Sequence, residues 1–215
     1  MRLAGEETAH FIGFPSPVHP PMGGAMEALF VSTLIVALAE MGDKTQLLAI
    51  VLATRFKRPV PIILGILVAT LANHAMAAGV GMWASKLLES DWFNFAVAFS
   101  FIAMAAWTLV PDKEDDEAGK SNRFGPFLTT TIAFFLVEMG DKTQVATVAL
   151  GARFGDMLWV TLGTTLGMMI ANVPAVFLGN ELVKRVPIRT VQIIAALIFF
   201  VLGLWLLAQT LGWLG

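Results

Sequence analysis

The residues best suited to chemistry form a seven-residue sequence, Glu-Met-Gly-Asp-Lys-Thr-Gln, that occurs twice without a change, at 40–46 and 138–144. Each copy lies in the middle of a stretch apolar enough to cross a bilayer. Ionisable groups are costly at membrane depth, so charged residues held there indicate a functional site. An identical run of seven residues also indicates an internal repeat, with an offset of 98 residues.

The donor atoms of the two motifs predict a cation site. Each copy offers two carboxylates, a hydroxyl and an amide oxygen, and neither contains cysteine or histidine. Such oxygen donors suit hard divalent ions, namely calcium, manganese or magnesium. Four carboxylates less two lysines leave a charge of −2, which one divalent cation neutralises. The predicted metal ligands are Glu40, Asp43, Gln46, Glu138, Asp141 and Gln144, and the predicted supporting residues are Lys44, Thr45, Asn73, Lys142, Thr143 and Asn172.

Helical spacing predicts how each motif presents its charges. Residues three and four apart share a helix face, so we expect Glu40, Asp43 and Lys44 to point the same way, and the second copy to do likewise. Gly42 inside this turn favours an interrupted helix of the kind that builds transporter sites. A glycine that allows close helix packing would look the same in sequence.

Charge repulsion links cation binding to protons. Carboxylates that share a site repel one another unless a cation or protons neutralise them, so we expect metal release to be followed by proton uptake. Inward proton flow could then drive outward metal flow. The alternative is a structural ion-pair network, although small residues hold membrane helices together at less cost.

Two features outside the motifs carry their own predictions. His74 is predicted to be a hydrogen-bonded core histidine, with a metal ligand and a proton relay as the alternatives. The GxxxG pattern at Gly163 and Gly167 predicts a close-contact helix face.

The elements that position the motifs are long apolar stretches. The chain has 215 residues, of which 57% are hydrophobic and 14% charged, which excludes an ordinary soluble domain. The predicted fold class is an all-α integral membrane protein with six transmembrane helices in two inverted three-helix repeats. The predicted spans are Ala25 to Ala53, Val60 to Trp83, Trp92 to Val110, Phe124 to Ala152, Met157 to Gly179 and Thr190 to Leu214.

The predicted division of the chain follows from these spans. Residues 1–24 form a loosely ordered extension, 25–110 and 124–215 form the two repeats, and 111–123 form an acidic cytoplasmic linker. Loops one, three and five carry nine Lys and Arg residues against three on the other side. This predicts a multi-pass protein of the plasma (inner) membrane with those loops cytoplasmic and both termini outside. Arg55 and Arg153 are predicted headgroup anchors, with a gating contact as the alternative.

Composition excludes several other classes. The chain has no cysteine, which excludes disulfides and zinc–thiolate sites. A net charge of −2 gives no reason to expect nucleic acid. We expect no enzymatic activity and no cofactor. The expected partners are a divalent metal ion as substrate, protons as counter-ions and the lipid bilayer, and a homodimer is left open.

The doubled Glu-x-Gly-Asp-Lys-Thr resembles the signature of the Golgi-type calcium/manganese cation:proton exchanger family, which includes bacterial manganese exporters of the MneA type. The resemblance covers residues 26–215. It implies that Glu40, Asp43, Glu138 and Asp141 bind the cation, that the substrate is manganese or calcium, and that transport runs out of the cytoplasm.

The sequence therefore predicts a secondary transporter that exports divalent cations, manganese before calcium, in exchange for protons. A passive cation channel is the alternative and would conduct without proton coupling. An intramembrane aspartyl protease also needs two acids, but the motif glutamates and lysines are surplus to that chemistry. An exporter of basic amino acids would need an apolar pocket beside the acids.

Overall fold

The computed structural model describes residues 22–87, 91–110, 124–179 and 188–213, and all regular structure in these ranges is helical. The predicted extension up to residue 21, the acidic linker at 111–123 and the basic residues 184 and 185 lie outside them. The helices are α1 (Met22–Glu40), α2 (Lys44–Phe56), α3 (Pro59–Leu87), α4 (Asp91–Thr108), α5 (Pro126–Glu138), α6 (Lys142–Phe154), α7 (Met157–Leu178) and α8 (Ile188–Thr210).

Three of these helices are long and apolar enough to cross a membrane, over Pro59–Lys86, Met157–Leu178 and Arg189–Thr210. Helices α1 and α2 pass the same test together as one span that bends by 71° at its break. Helices α4 and α5 are apolar but shorter. Within the described ranges, three of the six predicted spans are thus clear, and a fourth is clear if the bent pair counts as one.

Helix boundaries repeat with the same 98-residue offset as the motifs. Helices α2 and α6 correspond residue for residue, α1 and α5 both end on the motif glutamate, and α3 and α7 begin 98 residues apart. After α2 and α6, Lys57 and Gly155 adopt left-handed backbone and donate their N–H groups to the last turn. This is the usual way in which a helix ends before a new one begins.

Contacts between the two halves repeat with the same offset. Gly65 on α3 lies against Thr130 of α5, and Gly163 on α7 lies against Ser32 of α1. Both members of the first pair are 98 residues from their counterparts in the second. Gly167 also approaches the backbone of α1, so the close-contact face predicted from the GxxxG pattern is confirmed.

Buried apolar side chains form two separate cores in the described residues. The six-helix core draws on α1, α3, α4, α6, α7 and α8 and includes Phe101, Leu150 and Phe199. The four-helix core draws on α2, α3, α5 and α7 and includes Leu52 and Phe134. Helices α3 and α7 contribute opposite ends to the two cores. Each motif connects a half-helix of one core to a half-helix of the other. The first motif joins α1 to α2, and the second joins α5 to α6.

Candidate cation site

Each motif forms a tight turn between two half-helices. In both copies the first half-helix ends on the glutamate and the second begins on the lysine. The aspartate N–H donates to the glutamate carbonyl at 3.1 Å in each copy. Gly42 and Gly140 have φ of +81° and +76°, which the third position of a type II turn requires and glycine adopts without strain. The interruption favoured by the motif glycine is confirmed.

The break corrects one prediction about the motif. Glu40, Asp43 and Lys44 do not share a helix face, because α1 ends at Glu40 and α2 starts at Lys44. Instead, Glu40 is the last residue of α1, Asp43 lies in the turn, and Lys44 is the first residue of α2. The turn also exposes backbone N–H groups that a continuous helix would have satisfied.

The motif glutamines bond to these turns. Gln46 Oε1 accepts from the Gly42 N–H at 3.0 Å, and Gln144 Oε1 accepts from the Gly140 N–H at 2.6 Å. Each bond satisfies a backbone donor just before a half-helix, where no helical carbonyl can accept it. The amide oxygens predicted as metal ligands thus accept hydrogen bonds from the backbone of the turns.

The same glutamines reach across to the other half of the chain. Gln46 Nε2 donates to the Ala171 carbonyl of α7 at 3.0 Å, and Gln144 Nε2 donates to Asn73 Oδ1 of α3. Asn172 lies next to the first of these contacts, fully buried, and its Oδ1 has no partner among the described residues. Each motif is therefore fixed to the long helix of the opposite half.

Acidic side chains from both copies converge. Glu40, Asp43 and Asp141 each present a carboxylate oxygen within 4.8 Å of the other two. Their exposed fractions are 0%, 5% and 4%. Oxygen ligands of one ion lie within about 5 Å of each other, because metal–oxygen bonds measure about 2.0–2.6 Å. The spacing therefore suits three ligands of a single cation.

Threonines orient the two motif glutamates. The Thr45 hydroxyl donates to Glu40 Oε2 at 2.5 Å, and the Thr143 hydroxyl donates to Glu138 Oε2 at 3.1 Å. In both glutamates Oε1 has no hydrogen-bond partner among the described residues. Both glutamates are fully buried, so each has one carboxylate oxygen that no described residue satisfies.

The lysines pair between the copies. Lys44 Nζ lies 3.5 Å from Asp141 Oδ1, and Lys142 Nζ lies 3.7 Å from Asp43 Oδ1. Lys142 also donates to the Val110 carbonyl, just after α4, at 3.1 Å. The lysine side chains differ in exposure, with 19% for Lys44 and 4% for Lys142. Each motif lysine thus lies near the aspartate of the other motif.

The two aspartates occupy a helix-capping position without capping. Asp43 and Asp141 precede α2 and α6 with extended backbone, yet neither side chain makes a capping hydrogen bond. Aspartate at this position ordinarily accepts from an N–H two or three residues later. Both carboxylates instead face the opposite copy, close to the positive ends of the half-helices.

His74 on α3 lies beside Glu138 of the second motif. It is fully buried, and its Nε2 lies 3.9 Å from Glu138 Oε2. This is too long for a hydrogen bond, and neither ring nitrogen has a partner among the described residues. The prediction of a hydrogen-bonded core histidine is therefore wrong. The repeat gives a sign that this position matters, because its counterpart 98 residues later is also polar. That counterpart is Asn172 on α7.

Buried acids on paired half-helices, within a chain of long apolar helices, define a membrane transporter of cations. The family model for "Divalent cation/proton antiporter GDT1" matches residues 28–116 and 126–213, one copy of the motif in each segment. The chain belongs to this family of divalent cation/proton antiporters, as the motif resemblance implies. It is a transporter and not an enzyme, and the metal ion is its substrate.

Several relatives match over most of their length. The chain is 46% identical over 193 residues to a Vibrio cholerae protein named "Putative manganese exporter", which covers 89% of this chain and 96% of that protein. It is 29% identical over 202 residues to "GDT1-like protein 3" of Oryza sativa subsp. indica, covering 82% and 72%. It is 26% identical over 197 residues to "GDT1-like protein sll0615" of Synechocystis, covering 81% and 94%. No solved structure matches the chain.

Proposed function

We propose that this transporter exports divalent cations from the cytoplasm, manganese before calcium, in exchange for protons, through one site that both motifs form. The observation that carries the proposal is the convergence of buried Glu40, Asp43 and Asp141 from the two copies. The family of divalent cation/proton antiporters supports the exchange. The printed name of the Vibrio protein supports manganese as the first choice.

The four motif acids bind cation and protons in turn. Glu40, Asp43 and Asp141 coordinate the ion, and Glu138 is the fourth acid of the site. Lys44 and Lys142 offset part of the negative charge in both states, since each lies near an aspartate of the other copy. When the cation leaves, protons neutralise the carboxylates that would otherwise repel one another in a buried site. Cation and protons thus compete for the same oxygens.

The membrane arrangement belongs to the same proposal. The chain crosses six times as two inverted three-helix repeats, with α1–α2 and α5–α6 as broken spans and both termini outside. The matching helix boundaries and the Gly65 and Gly163 contacts support the repeat. The excess of Lys and Arg in loops one, three and five supports the orientation.

Alternating access in this proposal moves α4 and α8 together. The two helices pack against each other, and both join the six-helix core but not the four-helix core. Because the remaining helices of the two cores correspond through the repeat, the α4–α8 pair has a second equivalent place against α2 and α5. Movement between these places would expose the site to one side of the membrane and then to the other.

Metal flux in reconstituted vesicles tests the proposal. We expect uptake of Mn²⁺, weaker uptake of Ca²⁺, and stimulation by a pH gradient. Glu40→Gln and Glu138→Gln should each reduce flux to background, because each removes an acid from the shared site. Glu27→Gln is the matched control, since it makes the same change at an exposed position of α1.

Three outcomes would contradict parts of this proposal. Flux that persists in both Glu→Gln variants would show that the motifs are not the site. Flux that ignores the pH gradient would remove proton coupling and favour a passive channel. Equal loss in the Glu27→Gln control would mean that the substitutions act on folding.

A further inference from the structure

The His74 imidazole lies beside Glu138, the fourth acid of the two motifs. Its Nε2 is 3.9 Å from Glu138 Oε2, and neither ring nitrogen has a hydrogen-bond partner in the described part of the chain. The preceding residue, Asn73, accepts a hydrogen bond from Gln144, so this turn of α3 is fixed against the second motif. Burying unsatisfied polar atoms is unfavourable, and an apolar side chain would fill the same space at less cost. An imidazole with no hydrogen-bond partner among the described residues, next to a buried glutamate, is therefore a candidate cation ligand.

The separation of the two side chains fits a shared ion. Divalent ions bind nitrogen and oxygen donors at about 2.0–2.6 Å, so two donors of one ion lie roughly 3–5 Å apart. The 3.9 Å between His74 Nε2 and Glu138 Oε2 falls within that range. A cation between them would also reach Glu138 Oε1, which has no partner among the described residues.

The chemistry of imidazole gives this position a consequence for selectivity. Calcium and magnesium take oxygen donors, whereas imidazole nitrogen binds first-row transition ions more readily. The oxygen donors of the two motifs alone do not separate manganese from calcium. At the equivalent position of α7 the chain has Asn172, which would offer an oxygen. The first half thus has a nitrogen donor at the position where the second half has an amide oxygen.

We propose that His74 binds the transported cation through Nε2, beside Glu138, and makes the site prefer a divalent transition-metal ion over calcium and magnesium. The inference rests on the proposed function, because it requires the two motifs to bind a divalent cation. It goes further by adding a ligand outside the motifs and by choosing between their candidate substrates.

Electron spin echo spectroscopy of Mn²⁺ bound to the purified full chain tests this assignment. An imidazole nitrogen on the ion modulates the echo at characteristic frequencies. The chain has three histidines, so a His10→Asn, His19→Asn double variant leaves His74 as the only one. We expect nitrogen modulation in this double variant and none in His74→Asn, which installs the residue found at the equivalent position of the second half.

Competition between metals provides a second readout. His74→Asn should weaken Mn²⁺ binding about tenfold, in the range expected when a residue that supports or coordinates a metal is lost. Ca²⁺ binding should change by less than about threefold, because calcium gains little from imidazole. The His10, His19 double variant should leave both affinities unchanged.

The outcomes separate this inference from the proposed function. Bound Mn²⁺ without imidazole modulation in the double variant would overturn the role of His74 and leave the motif site standing. Absence of Mn²⁺ binding by the unaltered chain would overturn both. If His74→Asn fails to fold, the double variant still decides, because it leaves α3 unchanged.

Discussion

The six-helix core and the four-helix core use equivalent central helices, yet only the six-helix core contains α4 and α8. The offset of 98 residues relates α1, α3, α6 and α7 of the first core to α5, α7, α2 and α3 of the second. The duplicated sequence therefore specifies the central helices twice, while the α4–α8 pair packs against the six-helix core. The two motif turns are closely similar, and the helices packed around them are not.

The α3–α6 pair and its counterpart in the repeat, the α2–α7 pair, also differ in how closely the helices pack. A Cβ added at Gly81 of α3 would overlap the backbone of α6, and one added at Gly151 of α6 would overlap the backbone of α3. The equivalent positions in the α2–α7 interface are Ala53 and Gly179, and Gly179 has open space around it. Helices α3 and α6 also share a larger interface than α2 and α7. Small residues thus allow close backbone approach between α3 and α6, with no counterpart between α2 and α7.

The largest expected difference between the two sides lies in the lysines. Lys142→Met should lower the free energy of unfolding by about 3–5 kcal/mol, because it removes one partner of a buried ion pair with Asp43. It also removes the bond to Val110, next to α4. Lys44→Met should cost less, about 1–3 kcal/mol, because it too leaves a buried aspartate, Asp141, but the Lys44 side chain itself is 19% exposed. Thermal unfolding in detergent measures both, and equal losses would contradict the asymmetry.

The glycine contacts should give the next largest effect. Gly151→Ala should destabilise the protein by about 1–3 kcal/mol, because its Cβ would push α3 and α6 apart. The substitution gives the second half the residue that the first half has at the equivalent position, Ala53. The matched control is Ala53→Gly, which should cost about 1 kcal/mol through helix propensity alone. An unchanged midpoint for Gly151→Ala would show that the close contact is not required.

A smaller effect is expected where Arg153 joins α6 to α8. Its guanidinium lies 5.1 Å from the centre of the Trp205 ring and 5.8 Å from that of Phe154. A double-mutant cycle of Arg153→Ala and Trp205→Leu should give a coupling energy of about 0.5–2 kcal/mol. Arg153→Lys should keep part of it. A coupling energy near zero would make Arg153 a headgroup anchor, as its position in the sequence predicts, and not a contact of the α4–α8 pair.

The smallest effect is expected at the start of α7. Asp156 accepts from the Trp159 N–H at 3.1 Å and caps this helix, whereas the equivalent position before α3 is Arg58. Asp156→Ala should lower the free energy of unfolding by about 1 kcal/mol, and Asp156→Asn by only a few tenths. A loss of several kcal/mol in Asp156→Asn would mean that the charge, and not the cap, stabilises this end of the six-helix core.

Much of the central architecture could be predicted from the sequence because the repeat leaves few alternatives. The identical motifs located both charged turns, Gly42 and Gly140 indicated the interruptions, and the pattern at 163–167 predicted a close-contact face on α7. Each of these is a local property of the residues named. A positive φ favours glycine, and close helix approach requires small side chains.

The remaining features depend on which residues meet across the fold. The hydrogen bonds that Gln46 and Gln144 accept from the turns were not predictable, because they depend on the break between the half-helices. The position of His74 beside Glu138 was not predictable, because the two residues are 64 positions apart in the sequence. The packing of α4 and α8 against one core was not predictable either, since the repeated sequence does not distinguish the two cores.

The most direct test of a single shared site is calorimetric titration of Mn²⁺ into the purified chain and into Asp43→Asn, Asp141→Asn and the double variant. We expect one ion per chain, loss of binding in either single variant, and no further loss in the double variant, because both aspartates serve the same ion. Two ions per chain, with each substitution removing one of them, would contradict the account.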